Sequence, residues 1–170
     1  AHALGTTYKN KKVGSIADMT TFSLHPVKHI TTGEGGLVVT NDSDLAERLR
    51  RFRNHGISRD HHQRQEQGTW SYDMEEIGYN YRLTELNSVL GISQLQKLPI
   101  LLERRKEIAA RYNDAFSKIS QLTPPTAHPD CESAWHLYVI KLNLESLNKN
   151  RDEIFQALRA ENIGVNVHYI

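Results

Sequence analysis

The chain has 170 residues, 38% of them hydrophobic and 24% charged, with a formal net charge of +1. That length carries one domain with a real core, or one domain plus part of another, and the near-neutral charge gives no global pull toward nucleic acid or an anionic membrane. One cysteine, Cys131, excludes an internal disulfide framework and fits a reducing, cytoplasmic setting, and no apolar run approaches the roughly 20 residues of a membrane helix.

The chain opens on "AHALG", with neither an initiator methionine nor a signal peptide, and stops in "VNVHYI". Both ends read as cut from something longer. The run from Ile16 to Leu24 predicts a short buried strand, and Gly36 to Thr40 a second one after a glycine turn. Ser43 is an expected N-cap for a helix with Leu45, Leu49 and Phe52 on one face, closed by "NHG" at Gly56. The polar, histidine-bearing stretch from Ile57 to Tyr72 reads as a long surface loop.

Leu83 to Lys97 reads as a well-buried helix, with Leu83, Leu86 and Leu90 on one face. Pro99 suits the first turn of a following helix that carries Leu101, Ile108, Tyr112, Ala115 and Ile119. "TPPTAHPDCES" reads as a linker, and Trp135 to Leu142 as a strand. Asn150 and Glu153 form a capping-box pair before a helix whose apolar side is Ile154, Phe155 and Leu158. Gly164 is expected to end it, and "VNVHY" alternates like a strand. A boundary near residue 123 follows, giving an α/β part over 1–123 and the start of a smaller α+β part over 124–170.

The segment "SLHPVKHITTGEGG", Ser23 to Gly36, joins the two predicted strands and holds one lysine. Lys28 follows Pro26 at the carboxyl end of a strand, where ligands gather in α/β architecture. An amine shielded from water there is a usable nucleophile. Ser23 offers a hydroxyl, and "TTGEGG" offers backbone N–H groups for an anion. Together they could hold an aldehyde bearing a phosphate. A solvated surface lysine beside an ordinary turn fits the same residues. No lysine follows the glycines in Walker order. His25, His29, His61 and His62 have no cysteine or carboxylate at metal-ligand spacing and read as surface or pocket residues. "ERLRRFR" reads as a solvated helix face.

This segment resembles the S-F-H-x-x-K…G-E-G-G pattern of the DegT/DnrJ/EryC1/StrS sugar-nucleotide aminotransferases, with Leu24 in place of the usual phenylalanine. "AHALGTTYKNKKVGSIADMTTFS", "GYNYRLTELNSVLGISQL", "SAWHLYVI" and "IGVNVHYI" resemble further segments of that family, in its order and over essentially the whole chain.

The resemblance implies the aspartate aminotransferase fold (fold type I, α/β): part of a large domain with a mixed sheet, then the start of a small α+β domain. It implies pyridoxal 5'-phosphate as cofactor, with Lys28 as the Schiff-base lysine, Ser23 on the phosphate and His2 near the ring oxygen. Asn80 would reach the phosphate bound by the neighbouring subunit of a homodimer, and His168 would approach the sugar nucleotide. The implied reaction moves an amino group from glutamate to C4 of a UDP-linked 4-keto-6-deoxy-N-acetylhexosamine, as in pseudaminic acid synthesis. Lysine rather than histidine at position 28 favours transamination over the related dehydration.

Family chains are expected to be about twice this length. The ring-nitrogen aspartate and the stacking aromatic would precede Ala1. The 170 residues alone are therefore expected to bind the cofactor weakly and turn over little. A non-enzymatic binder of a sugar nucleotide or a partner on the same fold is the alternative.

Overall fold

The computed structural model describes residues 1–57 and 61–168, without the side chains of residues 61–63. Its elements in chain order are β1 (Thr7–Tyr8), β2 (Lys11–Lys12), β3 (Thr20–Ser23), β4 (Gly36–Val39), α1 (Ser43–Phe52), α2 (His61–Glu66) and α3 (Glu85–Phe116). Then follow β5 (Leu122–Thr123), β6 (Cys131–Glu132), β7 (Lys141–Leu142), a short 3-10 turn and α4 (Arg151–Ala160). Strand order is β2-β1-β6, β3-β4 and β5-β7, and every pairing is antiparallel among the described residues.

The β3–β4 hairpin frames the Lys28 segment, in the register Thr20↔Val39 to Ser23↔Gly36. Past the last pair the chain is closed by Leu24 N–H on Gly35 O (2.9 Å) and Thr32 N–H on Leu24 O (3.1 Å). The Thr31 hydroxyl also donates to Leu24 O at 2.9 Å. Residues 25–31 therefore form a closed loop. Two buried residues at its base, Leu24 and Ile30, pack on Leu98 of α3 with Leu4 and Leu102 alongside. Burying each of these side chains is worth about 1.5–3 kcal/mol, so the core lies directly under the loop it fixes.

Helix α3 is a single helix of 32 residues with Pro99 inside it, where two helices were expected. A proline in a helix interior removes one hydrogen bond and costs about 3 kcal/mol. Leu98 and Leu102 on either side of it are held in the core, and that packing carries the helix through. The expectation of a well-buried first half is corrected: Leu86 is 85% exposed, and Val89 and Ile92 are also exposed. The inward face is instead Asn87, Gly91, Leu98, Leu102, Arg105 and Ala109, at helical spacing. Asn87 Nδ2 donates to Thr32 O at 2.5 Å. Gly91 leaves room for the buried Thr32, because a Cβ there would lie 2.8 Å from Thr32 Cγ2.

Other boundaries shift for local reasons. Asp42, not Ser43, caps α1: its Oδ1 accepts from the N–H groups of Asp44 (2.8 Å) and Leu45 (3.0 Å). Residues 61–66, read as loop, form the short helix α2. The side chains of His61 and His62 lie outside the described residues. Only Lys141–Leu142 of the expected Trp135–Leu142 strand is paired, on β5. The Asn150–Glu153 capping box forms as expected. Helix α4 ends on Asn162, whose φ of 59° takes the left-handed place assigned to Gly164. Residues 163–168 form no strand, and Tyr169 lies outside the described residues.

Candidate active site

Lys28 sits in the closed loop after β3, half-buried, with its own N–H on His25 O at 3.0 Å. Its Nζ lies 2.7 Å from His2 Nε2. No carboxylate lies within ion-pairing distance of Nζ among the described residues. The amine thus faces an imidazole rather than a neutralising acid.

Three further histidines surround this pair. The His136 ring centre is 4.3 Å from that of His2 and 4.8 Å from that of His29, while His168 is 6.4 Å from His2. His29 is only 4% exposed, and neither of its ring nitrogens makes a well-formed hydrogen bond, the backbone of Ala134 offering it only a weaker polar contact. His136 Nδ1 is likewise buried without a hydrogen-bond partner. Buried ring nitrogens without a protein partner call for a water, a ligand or a functional role to account for them.

All three inner rings are biased to the neutral form. Burial pushes His136 down to about 4, helped by the nearness of His29, His2, Lys28 and Arg105, each of which is or can become cationic. His29 is lowered first by burial and then by Arg105, which together outweigh the favourable backbone of Ala134. His2 is lowered by partial loss of hydration, then by Lys28, with His168 adding to it. Where Lys28 Nζ donates across this contact, a neutral His2 accepts at Nε2 and carries its proton at Nδ1.

The sign of the resulting pH dependence is fixed. An unfolded histidine binds its proton near pH 6.5, and folded His136 only near 4. Its contribution to stability is full above about pH 6.5 and is lost as pH falls toward 4. On the order of 2 kcal/mol should disappear over that window, after allowance for solvent at a half-buried group. Urea midpoints at neutral and acid pH measure it, and His136→Phe should flatten the difference. An equal acid loss in that variant would remove His136 as the cause.

Ser23 is five residues before Lys28, on β3, and its Oγ accepts the His25 N–H at 3.4 Å, a long contact that leaves acceptor and donor capacity free. The backbone beyond Lys28 turns through Gly33 (φ 84°) and Gly35 (φ 154°). A Cβ on Gly35 would strike Thr32 Oγ1 at 2.4 Å, so only glycine fits there. Asn80 does not join this group. It is exposed and bridged to Asn54, between Tyr79 and Tyr81, whose rings stack 4.8 Å apart.

Of the residues singled out in the sequence, the structure gathers His2, Lys28 and His168. His29 and His136 are additions. His29 adjoins Lys28 but read as an unassigned pocket residue, and His136 was concealed in a run that read as plain strand.

The model of the DegT/DnrJ/EryC1/StrS aminotransferase family matches residues 1–170. The UDP-4-amino-4,6-dideoxy-N-acetyl-beta-L-altrosamine transaminase of Campylobacter jejuni is 44% identical over 99% of this chain and 43% of its own. Helicobacter pylori PseC, an aminotransferase of pseudoaminic acid biosynthesis, superposes with a TM-score of 0.85 at 40% identity, covering 100% of this chain and 44% of that one. Spr1654 of Streptococcus pneumoniae, described as a sugar aminotransferase and solved in a PMP form, gives 0.86 at 37% identity, with 100% and 44% coverage. The chain spans under half the length of these relatives.

Proposed function

The chain belongs to the DegT/DnrJ/EryC1/StrS aminotransferase family, and from that premise we propose that the protein carrying it is a sugar-nucleotide aminotransferase with Lys28 as its reactive amine. The fold is part of the α/β fold type I of pyridoxal 5'-phosphate enzymes, as in solved relatives in PLP and PMP forms. The observation that carries the proposal is Lys28, a half-buried residue whose Nζ lies 2.7 Å from a neutral-biased His2 and has no carboxylate partner among the described residues.

The residues present fit that cofactor. Lys28 would hold its aldehyde carbon, Ser23 Oγ its phosphate and His2 its ring oxygen, while the Gly33 N–H is already engaged by Thr31 Oγ1 at 2.9 Å. Pyridoxal 5'-phosphate supplies covalent attachment to amines and a ring that withdraws electrons from the attached carbon. The chain supplies proton control. Lys28 Nζ, when not covalently engaged, is the group placed to take and return a proton at the reacting carbon. His2 Nε2 orients that amine by accepting from it. The buried His29 and the half-buried His136 close the inner side.

The substrate is proposed to be a UDP-linked 4-keto-6-deoxy-N-acetylhexosamine aminated at C4, with glutamate as donor and a homodimer as the working unit. The activities of the Campylobacter and Helicobacter relatives support the substrate class. His168, 6.4 Å from His2, is the proposed sugar-nucleotide contact, and the exposed Asn80 is the proposed contact to the second subunit's site. Exposed Leu86, Val89, Ile92 and Ile100 on α3 need cover that a second subunit would supply. Incubating the whole protein with glutamate and the UDP-keto sugar, with mass analysis of the product, tests the reaction. The 4-amino sugar nucleotide is expected, and unchanged sugar nucleotide bound without conversion would favour a binder.

A further inference from the structure

Four contacts converge on the backbone from Ser133 to His136. The Ala134 N–H donates to Thr6 Oγ1 at 3.1 Å, in a buried contact. The Trp135 N–H donates to Ser133 Oγ at 3.1 Å. Arg105 Nη1, from the inward face of α3, donates to Trp135 O at 3.1 Å and to His136 O at 3.3 Å. Between them Trp135 holds a φ of 48°, in the left-handed region that a bulky side chain rarely enters. Such strain costs on the order of 1–3 kcal/mol and persists only where its surroundings over-determine it.

The same strap is tied to the segment bearing His2. Strand β6 pairs with β1, Thr7↔Glu132 and Tyr8↔Cys131, and Thr6 lies at the near end of that pairing. Lys106 of α3 bonds Glu132 from outside. His2 and His136, 134 positions apart in the sequence, are therefore brought together by one strand pair and one buried threonine. What the clamp delivers is a ring. His136 lies between His2 and His29, touching both, with its Nδ1 buried and unpartnered. A ring without hydrogen bonds that is nevertheless held by a strained, clamped backbone is placed for contact.

We propose that His136 is a positioning residue of the Lys28 site, whose ring, clamped by Arg105 and the left-handed Trp135, holds the His2 imidazole against Lys28 Nζ. Lys28 and His29 face this ring from the β3–β4 loop, His2 from the N-terminal segment and Arg105 from α3, while His168 of the C-terminal segment lies beyond it, on His2. Every one of these is cationic or can become so. A charged His136 would repel them all, and a neutral one packs. The proposal rests on the assignment of Lys28 as the reactive amine, but its readouts need neither cofactor nor substrate, so the two can fail separately.

The test uses the whole protein with nitrogen-15 histidine, comparing wild type, His136→Ala and His136→Phe. NMR follows the titration of His2, and acetylation with peptide mass spectrometry follows the accessibility of Lys28. In His136→Ala the His2 midpoint should rise toward the ordinary value of about 6.5, and Lys28 should be acetylated several-fold faster. His136→Phe, which restores a ring without a titrating group, should return both toward wild type. A general loss of stability would not move His2's midpoint in one variant and restore it in the other. An unchanged His2 midpoint and Lys28 rate in His136→Ala would overturn the proposal. Should the alanine variant not fold, the wild type decides: a ring-proton contact between His2 and His136 is expected, and its absence overturns the proposal.

Discussion

Replacing Lys28 by alanine is expected to lower turnover of the whole protein by roughly 10³-fold or more, since both covalent attachment and proton transfer depend on one amine. The geometry makes this more than loss of a charge. Lys28 is a half-buried residue on a loop closed at Leu24 and Thr32, and its Nζ meets His2 Nε2 at 2.7 Å. Lys28→Arg separates the two contributions. A guanidinium keeps the positive charge beside His2, but it remains protonated and forms no covalent bond to an aldehyde carbon under these conditions. Arginine should therefore be nearly as inactive as alanine, while both variants keep the wild-type melting temperature to within a few degrees. Steady-state kinetics on the two variants measures this. Activity within tenfold of wild type in either one would remove Lys28 from the chemistry.

Gly56→Ala should be the most destabilising of the single-methyl additions, lowering stability by about 3 kcal/mol or more. Gly56 has a φ of 69°, and a Cβ there would lie 1.8 Å from Glu76 O and 2.7 Å from Glu76 C. Side chains could swing away from such a clash, but a carbonyl fixed by its own backbone cannot. The crossing is tight from both sides, because a Cβ on Gly78 would lie 2.3 Å from Gly56 N. Around it the end of α1 is stitched to residues 74–82. His55 N–H bonds Tyr79 O (2.9 Å), Tyr79 N–H bonds Phe52 O (2.7 Å), Tyr81 N–H bonds Arg53 O (2.9 Å) and Arg51 pairs with Glu75 at 2.6 Å. That stitching presents Asn80. Thermal unfolding of Gly56→Ala tests the energetic statement, and a melting temperature equal to wild type would show that the two segments separate at little cost. If Asn80 serves a second subunit, the variant should also dimerise more weakly.

What the sequence disclosed is local. The Asn150–Glu153 box could be seen because both partners lie within one turn, and Lys28 because strand, proline and glycines surround it in a short span. Pro99 misled because a proline at a first helical turn and a proline inside a packed helix look alike until Leu98 and Leu102 are seen in the core. The leucines at 83, 86 and 90 identified a helix but not its inward face, which is set by Asn87 and Gly91 against Thr32. Trp135 to Leu142 has the composition of a strand but only its last two residues have a partner. The histidine group was least legible of all. Its members stand at positions 2, 29, 136 and 168, and only the β1–β6 pairing and the Thr6–Ala134 bond bring the first of them to the third. No periodicity encodes that.

Attachment of the cofactor at one named amine is the claim on which the rest depends. Borohydride reduction of the whole protein with pyridoxal 5'-phosphate, followed by peptide mass mapping, addresses it directly. The account predicts one phosphopyridoxyl group per chain, on the peptide containing Lys28. Label on a surface lysine such as Lys9, Lys11 or Lys12 with Lys28 unmodified, or no label at all, would contradict it.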